Sequence, residues 1–262
     1  MTAAELFEAG KLTDAVAAAL EEVKKQPMEP GPRWRLVEFL LFAGDLERAD
    51  KHLDTLLTQF PKLSMTAVFY RQLLRAEKAR REVMAEGRLP DFLSQPGEAV
   101  QECLHALVSL RAGDVAEAAR HVAQAEAVRT KTAGTCDGLP FDDLRDVDDA
   151  FGPILELVTA DGRCAWMALS EVASLKFEPP QRARDLLWRH AELVARDQQK
   201  TQVLIPALYP NTHRESDDTL RLGRQTQWKE LAPGLVQGLG QRLWLVGEDV
   251  RPILEIKEIS FA

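Results

Sequence analysis

A six-residue pattern recurs three times in the first half of the chain and strongly constrains how that half can fold. Glycine stands first, an aliphatic residue third and alanine sixth, in Gly10–Ala15, Gly44–Ala49 and Gly113–Ala118. The first two copies start 34 residues apart, and the third follows 69 residues later, close to two such periods. A period of about 34 residues is typical of tetratricopeptide repeats, in which each repeat is a pair of antiparallel helices.

The residues around each copy have the spacing of amphipathic helices. One apolar stripe of helical period contains Ala49, Leu53, Leu56, Leu57 and Phe60. The glycine is predicted to lie in the turn between two helices, and Pro27 and Pro61 to end the second helix of the first two copies. Cys103 is predicted to be a small core residue in the third pair. Between the second and third copies, Ser64 to Gly87 predicts a longer helix with its apolar face at Met65, Phe69, Leu73, Ala76 and Val83.

The pattern changes near residue 130, where glycine and threonine become frequent and Pro140 follows. We therefore predict an α+β protein in which residues 1–130 form a tetratricopeptide-like helical domain and residues 131–140 form a linker. Residues 141–262 would form a smaller, mainly β domain built as a bent sheet or barrel. A hairpin is predicted from Ile154–Thr159 through Asp161-Gly162 to Cys164–Met167. Further strands are predicted at Asp185–Trp188, Ala191–Ala195, Gln202–Leu208, Arg242–Val246 and Val250–Ile259.

Aspartates are dense between Phe141 and Glu156, and a second pair stands at Asp217 and Asp218. Such carboxylates can bind a divalent cation or serve as an acid/base pair, so a metal-dependent hydrolase is one hypothesis. The spacing is not that of an EF-hand loop. The interpretation we favour is a structural acidic motif whose members cap helices or pair with arginines: Asp143, Asp146, Asp148, Asp149, Asp217 and Asp218.

Other chemistry finds little support in the sequence. No metalloprotease, nucleophile-elbow or phosphate-loop motif is present, and the five histidines are not at ligand spacing, so no catalytic residue, metal or cofactor is predicted. The net charge of −8 without a basic block argues against nucleic acid. No apolar run is long enough to span a membrane, and the first residues do not resemble a signal peptide. Three widely spaced cysteines fit a reducing cytoplasm.

Four stretches of the second half together resemble the ImpE/SciE family, also called TagJ, of accessory proteins in bacterial type VI secretion. They are Asp143–Glu156, Leu204–Thr212, Asp217–Trp228 and Gly238–Arg242. The resemblance implies a cytoplasmic, non-enzymatic adaptor that binds the N-terminal helix of the small subunit of the contractile sheath. It also implies a connection to the ClpV-type AAA+ ATPase that dismantles contracted sheaths.

The resemblance does not fix which surface holds that helix. The helical half offers a groove by its architecture, whereas the second half offers aromatic residues as apolar anchors and arginines that, with Asp217 and Asp218, could fix the orientation of the bound helix. The arginines could instead only neutralise those aspartates. The candidate partner-binding residues are Trp166, Trp188, Tyr209, Trp228, Arg145, Arg221 and Arg224. A general tetratricopeptide scaffold with another partner is a further hypothesis.

Overall fold

The computed structural model describes all 262 residues, and its helices are concentrated in the first half. Each copy of the glycine pattern lies at the turn of a helix pair, and the three glycines have φ of +80°, +76° and +80°. Only glycine adopts this left-handed conformation without strain, which explains its place in the pattern. The helices are α1 (Ala3–Glu8), α2 (Leu12–Lys25), α3 (Pro30–Phe42), α4 (Leu46–Gln59), α5 (Ser64–Glu86), α6 (Glu98–Ala112), α7 (Val115–Val128) and the short α8 (Asp218–Arg221).

The residue after the turn glycine explains how the second helix begins in two of the pairs. The Asp45 side chain accepts a hydrogen bond from the N–H of Arg48, and the Asp114 side chain accepts one from the N–H of Glu117. Each aspartate satisfies an amide that has no partner within the helix. Helix α5 ends at Gly87, as the sequence predicts.

We expect alanine to be tolerated much better at one repeat glycine than at another. A Cβ at Gly113 would meet nothing within 4 Å, whereas one at Gly44 would lie 2.6–2.9 Å from Cδ2, Cβ and Cγ of His213. Gly113→Ala should cost about 1 kcal/mol of unfolding free energy through its positive φ alone. Gly44→Ala should cost about 2–4 kcal/mol, because the packing of His213 must also shift. Urea denaturation measures both losses of stability, and equal losses would contradict the close packing of His213 on Gly44.

The same histidine gives a pH prediction. Burial and the nearby Arg81 lower the pKa of His213 to about 4, from an ordinary value of 6.5. As the pH falls, His213 is protonated near pH 6.5 in the unfolded chain but only near pH 4 in the folded chain. Stability is therefore lost as the pH falls through this window. His213→Gln should remove about 1 kcal/mol of the loss between pH 7 and pH 5, a value reduced for the partial solvent exposure of the ring. Urea denaturation of both proteins at the two pH values tests this, and equal losses would contradict it.

The second half consists mainly of strands arranged in three sheets. The strands are β1 (Asp91–Phe92), β2 (Gly134–Cys136), β3 (Leu139–Phe141), β4 (Leu144–Asp146), β5 (Ile154–Val158), β6 (Cys164–Ala168), β7 (Val172–Phe177), β8 (Trp188–Ala195), β9 (Lys200–Pro206), β10 (Thr226–Ala232), β11 (Leu235–Gly240), β12 (Leu243–Val246), β13 (Asp249–Pro252) and β14 (Glu258–Phe261). The largest sheet has nine strands in the order β1-β6-β5-β9-β8-β7-β14-β2-β3, of which β1 comes from the first half of the chain. A second sheet has the order β13-β12-β4, and β10 and β11 form a hairpin. The nine-strand order has two ends, so this sheet is open and is not a barrel.

The structure confirms the α+β class and the hairpin of β5 and β6, but two predicted strands differ. Residues 183–186 form a 3-10 turn in which Asp185 accepts hydrogen bonds from the amides of Gln181 and Arg182, and the strand begins only at Trp188. The predicted strand at 250–259 is divided into β13 and β14 by a turn after Pro252.

Residues 131–140, predicted to be a linker, contain β2 and the start of β3. The two strands pair through a turn at Asp137-Gly138, and Cys136 is buried in the sheet. The extents of the two domains stay a prediction.

The two halves share buried apolar surface. Phe7, Phe39 and Phe42 pack together within the helices, with the rings of Phe7 and Phe39 stacked at 4.5 Å. The same cluster of buried side chains continues into the second half through Leu187, Trp188, Leu204, Leu208 and Leu222. The helical half is therefore packed on the sheet and not tethered to it by a flexible chain. No helix has both the length and the apolar character required to cross a bilayer.

Candidate partner-binding site

Three of the four aromatic residues predicted to anchor a partner lie in the interior. Trp166, Trp188 and Tyr209 are 0%, 3% and 1% exposed. The ring of Trp166 packs edge-on against Phe151 at 5.6 Å. Trp228 on β10 is 40% exposed and contacts the ring of Tyr209 at 5.7 Å. In this structure a partner can reach Trp228 but not the other three.

The first aspartate cluster is engaged within the fold. Its carboxylates bind arginines or backbone amides at ordinary hydrogen-bond distances of 2.6–3.0 Å. The pairs are Asp143 with Arg129, Asp149 with Arg145, and Asp148 with the amides of Ala150 and Gly238. The predicted contact residue Arg145 is thus occupied by a neighbouring carboxylate.

The second aspartate cluster lies against the helical repeats. Asp217 caps α8 by accepting a hydrogen bond from the N–H of Thr219 at 2.8 Å. Asp218 accepts one from the N–H of Thr13 at the start of α2, at 2.9 Å, and pairs with Arg221 at 3.0 Å. A carboxylate at a helix N-terminus is favoured by the helix dipole.

The arginines of the same segment bind the opposite ends of neighbouring helices. Arg221 donates to the carbonyl oxygen of Ala43 after α3, at 3.2 Å. Arg224 donates to the carbonyl oxygens of Phe7 and Glu8 at the end of α1, both at 2.8 Å. Carbonyl groups in the last turn of a helix lack an i+4 amide partner, and cations are favoured at helix C-termini. Arg221 and Arg224 therefore join the second half to the helical turns.

A buried charge network, formed by Arg80, Glu156, Arg242 and Asp146, lies where the halves meet. Glu156 on β5 accepts hydrogen bonds at 2.7 Å from Arg80 on α5 and from Arg242 before β12. Arg242 Nε lies 3.5 Å from Asp146, whose other oxygen is 2.9 Å from the hydroxyl of Tyr209. Burial alone would raise the pKa of Glu156, but the two guanidinium groups hold it below its ordinary value. Burial raises the pKa of Asp146, although Arg242 opposes the change.

The glycines of the motif at 238–242 allow close packing within the second half, beside this network. A Cβ at Gly238 would lie 2.4 Å from the Tyr209 ring. Gly240 has φ of +93°, and a Cβ there would lie 2.0 Å from the carbonyl oxygen of Gln225. Gly238 therefore lets β11 pack closely on Tyr209, whose hydroxyl binds Asp146, and Gly240 lets the end of β11 approach Gln225.

An exposed groove lies between α4 and α5 and has a volume of about 780 Å³. Its apolar lining is Leu46, Leu57, Val68 and Leu74, and its charged lining is Glu47, Asp50, Lys51, Arg71, Arg75 and Lys78. Arg71 links the two helices through Asp50 at 2.8 Å and Asp54 at 3.2 Å. Arg75 and Lys78 form no ion pair in the structure. A groove with an apolar lining and a charged rim is suited to an amphipathic helix.

The repeat pattern predicts a groove in the helical half but does not give its position. The signal was present in α5, because Val68 is an apolar residue that lies outside the predicted apolar stripe. In the structure Val68 is 46% exposed. The position of the groove depends on how α4 and α5 pack against one another. The spacing of apolar residues along each helix does not specify that packing.

Sequence reasoning also missed a cluster of ligand-type side chains on α6 and α7. His105 and His121 are 16 positions apart in the chain, yet their ring centroids are 5.2 Å apart. Glu102 lies between them, and its oxygens are 2.6 Å from Nδ1 of His121 and 3.8 Å from Nδ1 of His105. The antiparallel pairing of the two helices creates this proximity.

Comparisons with known proteins agree on one family. The sequence profile of the ImpE protein family matches residues 138–260. The "Type VI secretion system accessory component TagJ" of Pseudomonas aeruginosa is 36% identical over 264 aligned residues, which cover 100% of this chain and 91% of that protein.

A solved structure has the same architecture. The crystal structure of protein VPA1032 from Vibrio parahaemolyticus superposes with a TM-score of 0.93 at 25% sequence identity. The match covers 99% of this chain and 97% of that one. The arrangement of helical pairs and sheets is therefore shared across nearly the whole length of both chains.

Proposed function

The chain belongs to the ImpE family, and from this premise we propose that it is an accessory adaptor of a type VI secretion system that acts by binding other proteins. The name of the Pseudomonas aeruginosa relative, an accessory component of such a system, supports this role. A protein of this kind needs a surface for a partner and a rigid support for that surface.

The groove between α4 and α5 is the observation that carries the proposal. Its four apolar side chains are Leu46, Leu57, Val68 and Leu74. Two helices with such a lining can bury one face of a third helix, and binding of this kind needs no catalytic group. One helix of the groove, α5, is joined to the sheet near its C-terminal end, where Arg80 donates a hydrogen bond to Glu156 on β5.

We propose the N-terminal helix of the small subunit of the contractile sheath as the ligand. The partner comes from the family resemblance, and the charges of the rim suggest how it would be oriented. Arg75 and Lys78 stand on the α5 side, whereas Glu47 and Lys51, of opposite charge, stand on the α4 side. A bound helix with acidic residues toward α5 would match the two cations there. In the cytoplasm this contact would link the sheath to the ClpV-type disassembly ATPase.

The alternative of a metal-dependent hydrolase needs the two aspartate clusters to converge on one ion. In the structure Asp143 and Asp149 face arginines, Asp148 faces backbone amides, and Asp217 and Asp218 cap helices. Three potential ligand side chains come together elsewhere, on α6 and α7. This arrangement favours a binding role over hydrolysis at the aspartates.

Fluorescence anisotropy with a labelled synthetic peptide of the sheath subunit's N-terminal helix tests the proposal. We expect saturable binding with a dissociation constant on the order of micromolar. A peptide of the same composition, scrambled to remove its apolar face, is the control and should bind at least about tenfold more weakly. Equal binding of both peptides, or none to folded protein, would contradict the adaptor role.

Contact with the ATPase is a separate step. Immobilised protein should retain the ClpV-type ATPase in a pull-down, alone or together with the sheath peptide. Recovery equal to that on an uncoated resin under both conditions would remove the ATPase from the proposal and leave the sheath contact unaffected.

A further inference from the structure

We propose that Glu102, His105 and His121 form a binding site for a zinc-type divalent transition metal, with Glu117 as the outer partner of His121. Glu102 and His105 are three positions apart on α6, and Glu117 and His121 are four apart on α7, so each pair shares one helix face. One ligand atom from each of Glu102, His105 and His121 lies within 4.8 Å of the other two. The site is separate from the groove and independent of the proposed function.

The distances fit a metal centre after small side-chain rotations. Bonds of about 2.0–2.1 Å in a tetrahedral zinc site place neighbouring ligand atoms about 3.3 Å apart. The distances from Glu102 oxygens to Nδ1 of His121 and of His105, 2.6 and 3.8 Å, lie on either side of that value. His105 has 58% of its side chain exposed, so its ring can turn and metal can enter from solvent.

The donor types indicate the class of metal. Two imidazoles and one carboxylate are a ligand set typical of zinc and related first-row ions, with a water completing the coordination. Magnesium and calcium prefer oxygen ligands, which makes them poor candidates. The set contains no thiolate, and all three cysteines are buried elsewhere without a disulfide.

The surroundings of His121 provide the support that metal-binding histidines usually have. With Nδ1 directed at the metal position, the other ring nitrogen, Nε2, lies 3.3 Å from Oε1 of Glu117. Donation of that N–H to a carboxylate fixes the tautomer and orientation of the ring. Glu117 is itself paired with Arg120. The cluster thus contains three ligand side chains and, in Glu117, an outer carboxylate that orients one of them.

Titration of chelator-treated, full-length protein with zinc chloride in a non-chelating buffer, followed by calorimetry, tests the site. We expect one ion per chain. His105→Gln and His121→Gln should each weaken binding by at least about 100-fold, and Glu117→Gln by about 10-fold, because losing an outer partner costs about 10- to 100-fold. His190→Gln, which removes a histidine on β8, should leave the affinity unchanged.

Binding of Co²⁺ gives a second readout, since a tetrahedral site with imidazole ligands produces visible absorption bands. These bands should appear in the wild-type protein and in His190→Gln, and should be absent from His105→Gln. Because His105 is exposed, the His105→Gln variant should fold normally, and circular dichroism checks this. Loss of the bands would then reflect the loss of a ligand and not unfolding. No stoichiometric zinc binding, or equal affinity in all the variants, would overturn the proposal.

Discussion

Replacing Glu156 with glutamine is expected to lower the free energy of unfolding by about 3–5 kcal/mol, because it removes the carboxylate that two buried guanidinium groups share. Only the more distant carboxylates of Glu77, 3.7 Å from Arg80, and Asp146, 3.5 Å from Arg242, would remain beside them. Arg80 and Arg242 are 6% and 0% exposed, and each donates to the same Glu156 oxygen at 2.7 Å. A neutral amide oxygen can accept these hydrogen bonds but cannot balance the charges. The effect should be large although glutamine has nearly the same size and shape as glutamate.

Glu21→Gln is the matched control, since it makes the same chemical change in an exposed ion pair. Glu21 and Lys24 have 58% and 61% of their side chains exposed. The control should leave stability almost unchanged, because solvent screens an exposed ion pair. Urea denaturation of the three proteins measures both effects. A loss below about 1 kcal/mol for Glu156→Gln would mean that solvent reaches the network and that it does not hold the halves together.

Replacing Val68 with aspartate is expected to weaken binding of the sheath-subunit helix by about 30-fold or more, equal to roughly 2 kcal/mol. Val68 lines the groove on α5 and is 46% exposed in the free protein. A bound helix would cover it, and a carboxylate there would lose its hydration without gaining a partner. Stability should change little, because the side chain already contacts solvent.

Val108→Asp supplies the comparison for this variant. Val108 lies on α6, outside the groove, and is 54% exposed, so the two substitutions add the same charge to similarly exposed helix positions. Peptide affinity should be lost in Val68→Asp and retained in Val108→Asp. Equal affinities in the two variants would place the partner on another surface, such as that around Trp228.

Local features could be predicted where the sequence determines them directly. The glycine pattern predicts three helix pairs because a positive φ is required at each turn, and Asp161-Gly162 predicts the hairpin of β5 and β6 for the same reason. The strand predicted at 185–188 is wrong because Asp185 binds backbone amides and stabilises a turn. A side chain bonded to nearby amides competes with strand formation.

Features that depend on tertiary contacts could not be predicted. Trp166 and Tyr209 are residue types that are common at binding surfaces. In the structure, however, Trp166 packs on Phe151, and the Tyr209 hydroxyl donates a hydrogen bond to Asp146. Arg224 stands near aspartates in the sequence but binds carbonyls more than 200 positions away. The groove, the buried charge network and the histidine cluster all depend on how helices and strands approach one another.

Hydrogen–deuterium exchange of the protein with and without the sheath-subunit helix tests the central claim most directly. If the helix binds between α4 and α5, saturating peptide should slow exchange at residues 46–59 and 64–86 and leave the strands of the second half almost unchanged. Slowed exchange confined to residues 134–262, or unchanged exchange under saturating peptide, would contradict the account.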